Sequence, residues 1–387
     1  MKNLNRNAMS VPKERLVDEL LERIDKKNQI LEKRNIEYGA ERVRIHSYAE
    51  NIALPGLFGF DMNDYLANPE LALDIDLRAK IFWLDNSSGD DNASLDVSVG
   101  TMYYDMTLFG IEIKYQTDGV PLYQPHELMK NPDISLLKPF DFYNTGEMPS
   151  IHKRYEAYKD LSRSMYGDKL RVHFPYFSRG PLDIYINLRG YENFVDDISD
   201  NPQFVHDLFA YIIEERYRYN KETANFKNEN LPDMGIADDW VGIPFVSPRM
   251  FEEFIIPAYL KIQNNEGPIR YFHTCGAFEP LVPMLLETFP AFTGLDVSGW
   301  NNMNLLDKIV DPKIGFGLSM INTFVLFGSE EEHRQKIKQV AKIAKRRHVS
   351  LGAQAIVKAH DTFDESMYHA NKFIELAREV LREDSGE

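Results

Sequence analysis

From residue 170 to the end of the chain, short apolar runs alternate with long amphipathic segments, and this order constrains the fold more than any other feature. Leu170 to Phe174, Met234 to Ala237, Ile269 to Thr274, Gly294 to Val297, Lys313 to Leu318 and Val349 to Ala355 read as strands. Between them lie helical faces. Asn201-Pro202 opens one that carries Phe204, Val205, Leu208, Phe209, Ile212 and Ile213 on one side. Ser247-Pro248 is an N-cap followed by proline at the first helical position. Further helices are expected near 279–287, 329–346 and 363–382. Strands separated by helices pair in parallel, with the helices covering the sheet. No glycine-rich phosphate loop opens any of these helices, so the expectation is a closed β/α barrel rather than an open nucleotide-binding sheet.

The first part of the chain is less regular. Residues 12–35 predict a charged amphipathic helix with Val17, Leu20, Leu21 and Ile24 on its apolar face. A second helix should follow Asn68-Pro69, and residues 85–94 form a polar loop. Leu95 to Val99 and Phe109 to Tyr115 alternate like strands. The expected division is one domain, with a mostly helical extension over 1–90 and the barrel over 91–387. A length of 387 residues suits this, because a β/α barrel of about 250 residues or more forms a single domain. A formal charge of −16 repels polyanions and argues against nucleic acid as a partner. No apolar run reaches membrane-spanning length, and the N-terminal residues lack the apolar core of a secretory signal. Cys275 is the only cysteine, so no internal disulfide can form, and a cytoplasmic location is expected.

The sharpest chemical signal is YFHTCG, residues 271–276. Alternation along a strand sends His273 and Cys275 to the same side, at the carboxyl end where a barrel carries its active site. Imidazole and thiolate are both zinc ligands, and catalytic zinc takes about three protein ligands plus an open position. A histidine satisfied beside a buried cysteine is the commoner use of such a pair. A second constellation, ADDWVG at 237–242, places Asp238, Asp239 and Trp240 at the end of the preceding strand. Two successive aspartates cannot both point inward, and one is expected to cap a loop or helix. Asp296, Gln354, His173, Tyr176 and Arg179 stand at or near other strand ends.

Taken together, ADDWVG, VSPRMFEEFIIPAY, YFHTCG, GLDVSGW, GFGLSM and RGPLDIYINLRGYENFVDDISDNP resemble the barrel motifs of the uroporphyrinogen decarboxylase superfamily, across roughly residues 50 to 383. The resemblance implies a TIM (β/α)8 barrel with an N-terminal helical extension. The cofactor-free decarboxylases carry an arginine-rich motif near the N-terminus, used to grip a substrate with many carboxylates. Residues 35–60 do not supply it, although Asp238 resembles the decarboxylase aspartate. The corrinoid branch consists of zinc-dependent methyltransferases whose ligands are H-x-C plus a later cysteine. His273 and Cys275 match the first two, and no later cysteine exists. Gln354 and His360 stand in that region instead. Asp238 is therefore expected as the third zinc ligand, ahead of Glu252.

On this resemblance the expected activity is that of an O-demethylase methyltransferase component. Zinc on Asp238, His273 and Cys275 would polarise the ether oxygen of a methoxylated aromatic donor, with Tyr176, Trp240, Asp296 and Gln354 contacting substrate. The methyl group would pass to cob(I)alamin on a small corrinoid-binding partner, because no D-x-H-x-x-G cobalamin motif occurs in this chain. Two alternatives stand beside it: a metal-free decarboxylase or lyase using Asp238 as its acid, and a methylcobalamin:thiol methyltransferase.

Overall fold

The computed structural model describes residues 4–38, 42–49, 54–90, 94–101, 103–116, 121–356 and 362–385. Its strands are β1 (Val43–Ala49), β2 (Asp96–Ser98), β3 (Ile113–Lys114), β4 (Leu122–Tyr123), β5 (Arg171–His173), β6 (Met234–Ala237), β7 (Ile269–His273), β8 (Gly294–Ser298), β9 (Gly315–Met320) and β10 (Val349–Ile356). Six of them form a parallel sheet in the order β1-β10-β9-β8-β7-β6. β2 and β5 pair in parallel, and an isolated parallel bridge from Arg179 to Ala237 links the segment after β5 to β6. β3 and β4 make a separate antiparallel hairpin.

The sheet has two unlike faces. Ile236, Phe272, Leu295, Val297, Phe316 and Leu318 are buried in the main apolar core. Each fully buried side chain of this size contributes on the order of 1.5–3 kcal/mol. The alternate positions carry Gly235, Ala237, Tyr271, His273, Asp296 and Ser319, which are small or polar. One face thus builds the hydrophobic core, and the other is left for chemistry.

The helices start where their caps predict. Ser247 accepts a hydrogen bond from the Met250 amide, and Ser329 with Glu332 forms a reciprocal capping box at the helix Glu330–Ala344. The helix Pro202–Lys227 contributes Arg216, whose guanidinium meets Glu266 at 2.9 Å and donates to the Arg179 carbonyl at 2.8 Å. Asn220 on the same helix bonds both the amide and the carbonyl of Phe177. This buried network fixes the irregular stretch between β5 and Arg179.

Two expectations are corrected. The sheet begins at β1, inside the stretch expected to be a helical extension, and β1 pairs with β10. Half-buried polar side chains at its alternate positions, Arg44 and His46, hide the strand from a hydrophobic reading. The strand expected over 109–115 is only the two residues of β3, preceded by the short helix Tyr104–Thr107. Among the described residues, no helix is long and apolar enough to cross a membrane.

Candidate metal centre

β6 and β7 run side by side with Ala237 opposite His273. Residues at the same parity, Asp239 and Cys275, therefore continue on the same face beyond the strand ends. Asp239 Oδ1 lies 3.1 Å from His273 Nε2, and the Cys275 thiol donates to the same oxygen at 3.2 Å. Cys275 Sγ and His273 Nε2 are 3.7 Å apart. All three ligand atoms fall within 4.8 Å of one another. Zinc–ligand bonds of about 2.0–2.3 Å at tetrahedral angles separate neighbouring ligands by roughly 3.3–3.7 Å, and the trio's separations of 3.1, 3.2 and 3.7 Å lie close to that range.

The imidazole is held from behind. Its Nδ1 donates to Asp296 Oδ2 at 2.7 Å, and Ser319 Oγ donates to the other oxygen of Asp296, also at 2.7 Å. A carboxylate on the far nitrogen fixes the ring and its tautomer, the usual support for a metal-ligating histidine. Asp296, expected as a substrate contact, is buried and braces the imidazole. Burial disfavours charge on His273, but hydrogen bonds to Asp239 and Asp296 prevail and raise its pKa well above the ordinary value. Burial also pushes on Asp239, where the His273 contact prevails and lowers the carboxyl's pKa. Burial raises the Cys275 thiol. Two carboxylates facing one imidazole make a locus that favours a cation, and the mixed oxygen, nitrogen and sulfur set suits zinc.

Asp238 does not join the group, which corrects the sequence expectation. It continues the buried parity of Ile236 and is 0 % exposed. Its oxygens accept hydrogen bonds from the Leu182 and Asp183 amides and from the Tyr259 hydroxyl. These amides open the helix Pro181–Arg189, whose N-cap residue, Gly180, has no side chain to do the task. A methyl group on Gly180 would stand 2.2 Å from the Asp238 carboxyl, so only glycine permits this approach. Burial and the neighbouring Asp183 push Asp238 up to about 8. Asp238 is thus a buried acceptor for that helix's first amides and stands outside the trio.

The remaining candidates divide. Trp240 follows Asp239 in the chain, and its ring is stacked on Tyr191 at 5.7 Å and edge-on to Phe245 at 4.9 Å. Arg179 bonds Asp105 at 2.9 Å and Asp183 at 2.5 Å, and its charge also reaches Asp239. Tyr176 packs under Lys227 in the last turn of Pro202–Lys227, the turn that leads into the N-terminal end of β6. That places it at the opposite end of the sheet from the trio. His173 pairs with Asp96 on β2. Glu252 is exposed on the helical turn Phe251–Ile255. Gln354 belongs to β10, but its side chain and all of His360 lie outside the described residues. Alternation from His273 across the β6–β7 register would have found Asp239. Ser319 gave no local signal in the sequence.

The sequence profile of the family Uroporphyrinogen decarboxylase (URO-D) matches residues 60–361, most of the chain. The chain belongs to the uroporphyrinogen decarboxylase family. No curated protein matches it closely enough to refine that assignment. In this member of the URO-D family, β6 to β9 and the carboxyl-end trio all fall within the matched segment.

Proposed function

We propose that the chain is a zinc-dependent methyltransferase that takes a methyl group from a methoxylated aromatic compound and passes it to cob(I)alamin on a small corrinoid-binding partner. Its eight parallel strands, β1, β2 and β5 to β10, are read as a TIM (β/α)8 barrel. The observation that carries this reading is the convergence of Asp239, His273 and Cys275 within 4.8 Å, with Asp296 bracing the histidine. Asp239, His273 and Cys275 would hold zinc, which would supply Lewis acidity toward the ether oxygen.

The chain's own residues do the rest. Asp296 and Ser319 hold the imidazole in one orientation, so its Nε2 is presented to the same point as Asp239 and Cys275. The lowered pKa of Asp239 keeps it anionic. The raised thiol of Cys275 and the raised imidazolium of His273 would each give up a proton on metal binding, so uptake would release protons from both and be favoured by alkaline pH. Trp240, Tyr191 and Phe245 give the site an apolar flank. In such a transfer the donor's carbon–oxygen bond would break with its electron pair left on the phenolate oxygen, and cob(I)alamin on the partner would be the methyl acceptor. The metal-free alternative relied on Asp238 as an acid, and its 0 % exposure weighs against that role.

Metal analysis of protein purified without an affinity tag, with Asp239→Ala, His273→Ala and Cys275→Ser alongside, tests the proposal. The wild type is expected to hold about one zinc per chain, and each variant to lose at least tenfold in affinity. Wild-type protein that demethylates guaiacol at full rate with no metal bound would falsify the reading.

A further inference from the structure

Tyr271 lies two residues before His273 on the same face of β7, and its surroundings are unusual for a large ring in mid-sheet. A methyl group built on Gly294 of β8 would stand 2.9 Å from Tyr271 Cδ2. One on Gly235 of β6 would be 3.3 Å from its Cβ, and one on Gly317 of β9 would be 3.2 Å from its hydroxyl oxygen. Strands on both sides therefore omit a side chain where the ring lies. The ring rests low on the backbone of β8, and its hydroxyl reaches β9.

Even so, Tyr271 is 40 % exposed, whereas the next residue, Phe272, is 1 % exposed in the apolar core. The free surface of Tyr271 thus belongs to the small, polar face from which His273 and Cys275 project. Two residues along a strand span about 6.6 Å, so the ring forms a floor just below the trio. Filling any of the three glycine positions would lift it off the sheet. A lowered ring with one open face is a stacking surface for another planar ring.

We propose that Tyr271 is a specificity-determining platform: its ring face receives the planar ring of the methyl donor, selecting aromatic over aliphatic methyl ethers. This rests on the reading of the site as one that accepts a methyl ether. Isothermal titration calorimetry of the zinc-loaded full chain with guaiacol and with methoxyethanol tests it. Wild type should bind guaiacol at least tenfold more tightly. Tyr271→Leu should weaken guaiacol about tenfold and leave methoxyethanol unchanged, and Tyr271→Phe should retain the preference. Gly294→Ala, which leaves Tyr271 in place but lifts its ring, should also weaken guaiacol. Equal binding of both ethers by wild type, or of guaiacol by wild type and Tyr271→Leu, overturns the proposal. Metal content of the same samples separates the two ideas. A guaiacol preference lost in Tyr271→Leu but found in a wild type that takes up no zinc upholds the platform and removes the methyltransferase reading. Zinc bound without that preference does the reverse.

Discussion

At the scale of single residues, adjacent aspartates have opposite duties because strand parity sends them to opposite faces. Asp239 meets His273 and Cys275, while Asp238 caps the helix Pro181–Arg189 and receives Tyr259. Asp238→Ala leaves two helix amides and a buried hydroxyl without an acceptor, and should cost about 1–3 kcal/mol of stability. It should keep its zinc, whereas Asp239→Ala should lose zinc and melt close to the wild type. Parallel metal analysis and thermal denaturation of the two variants check this, and zinc loss in Asp238→Ala alone would return the third-ligand role to Asp238. The residue that meets His273 and Cys275 was within reach of the sequence. The alternation that sends His273 and Cys275 to one side, anchored in β6 on apolar Met234 and Ile236, points Asp238 toward the core and Asp239 toward the site. What alternation could not supply was Asp296 as a brace, since that depends on the β7–β8 register.

At the scale of elements, the regular second half was legible because each strand there has an apolar face toward helices and the long helices open on readable signals, Asn201-Pro202 at one and the Ser329 cap at another. The strand β1 was not, because Arg44 and His46 occupy its other face and break the apolar run. The helix Met148–Met165 was missed for a related reason: its inner face is carried by Ile151, Arg154, Tyr158 and Ser162, a polar mixture. His152 on that helix sits among Phe142, Phe174 and Phe226 with ring centroids 5.0, 5.0 and 5.1 Å away. Burial lowers its pKa, against the opposing pull of the Phe142 carbonyl. A base with a depressed folded pKa takes its proton first in the unfolded chain as pH falls below about 6.5. Stability contributed by the neutral ring is therefore present above that pH and is lost on acidification. Replacing it by His152→Phe should shift the stability difference between wild type and variant in favour of the variant between pH 8 and pH 5 (roughly the window around an imidazole's titration). Melting temperatures of both proteins at those two pH values read this directly, and a constant difference would show that His152 does not titrate on unfolding.

At the scale of the whole molecule, the site depends on a sheet whose first strand comes from the N-terminal region and whose neighbour, β10, comes from near the C-terminus. A buried acid joins these distant parts. Asp90, with a fully buried side chain, lies 2.6 Å from Arg34 of the helix Leu16–Tyr38 and 3.0 Å from Arg378 of the helix Phe363–Ser385. Its other oxygen accepts from the Ile45 amide of β1 at 3.1 Å, and its own amide donates to the Ile45 carbonyl. One carboxylate therefore ties both terminal helices to the strand that borders β10. Removing one partner from a buried ionic cluster costs about 3–5 kcal/mol, mainly because the remaining charges lose their compensation. Asp90→Ala should lower stability by that order in denaturant unfolding. Because the trio on β6 and β7 lies on the far side of the sheet order, the folded variant should still bind zinc with wild-type affinity. Urea titration read by circular dichroism, with metal binding measured below the transition, separates the two quantities. An Asp90→Ala protein of wild-type stability would show that the termini are held by apolar packing alone, and weakened zinc binding would mean that strain at β1 travels through the sheet to β7.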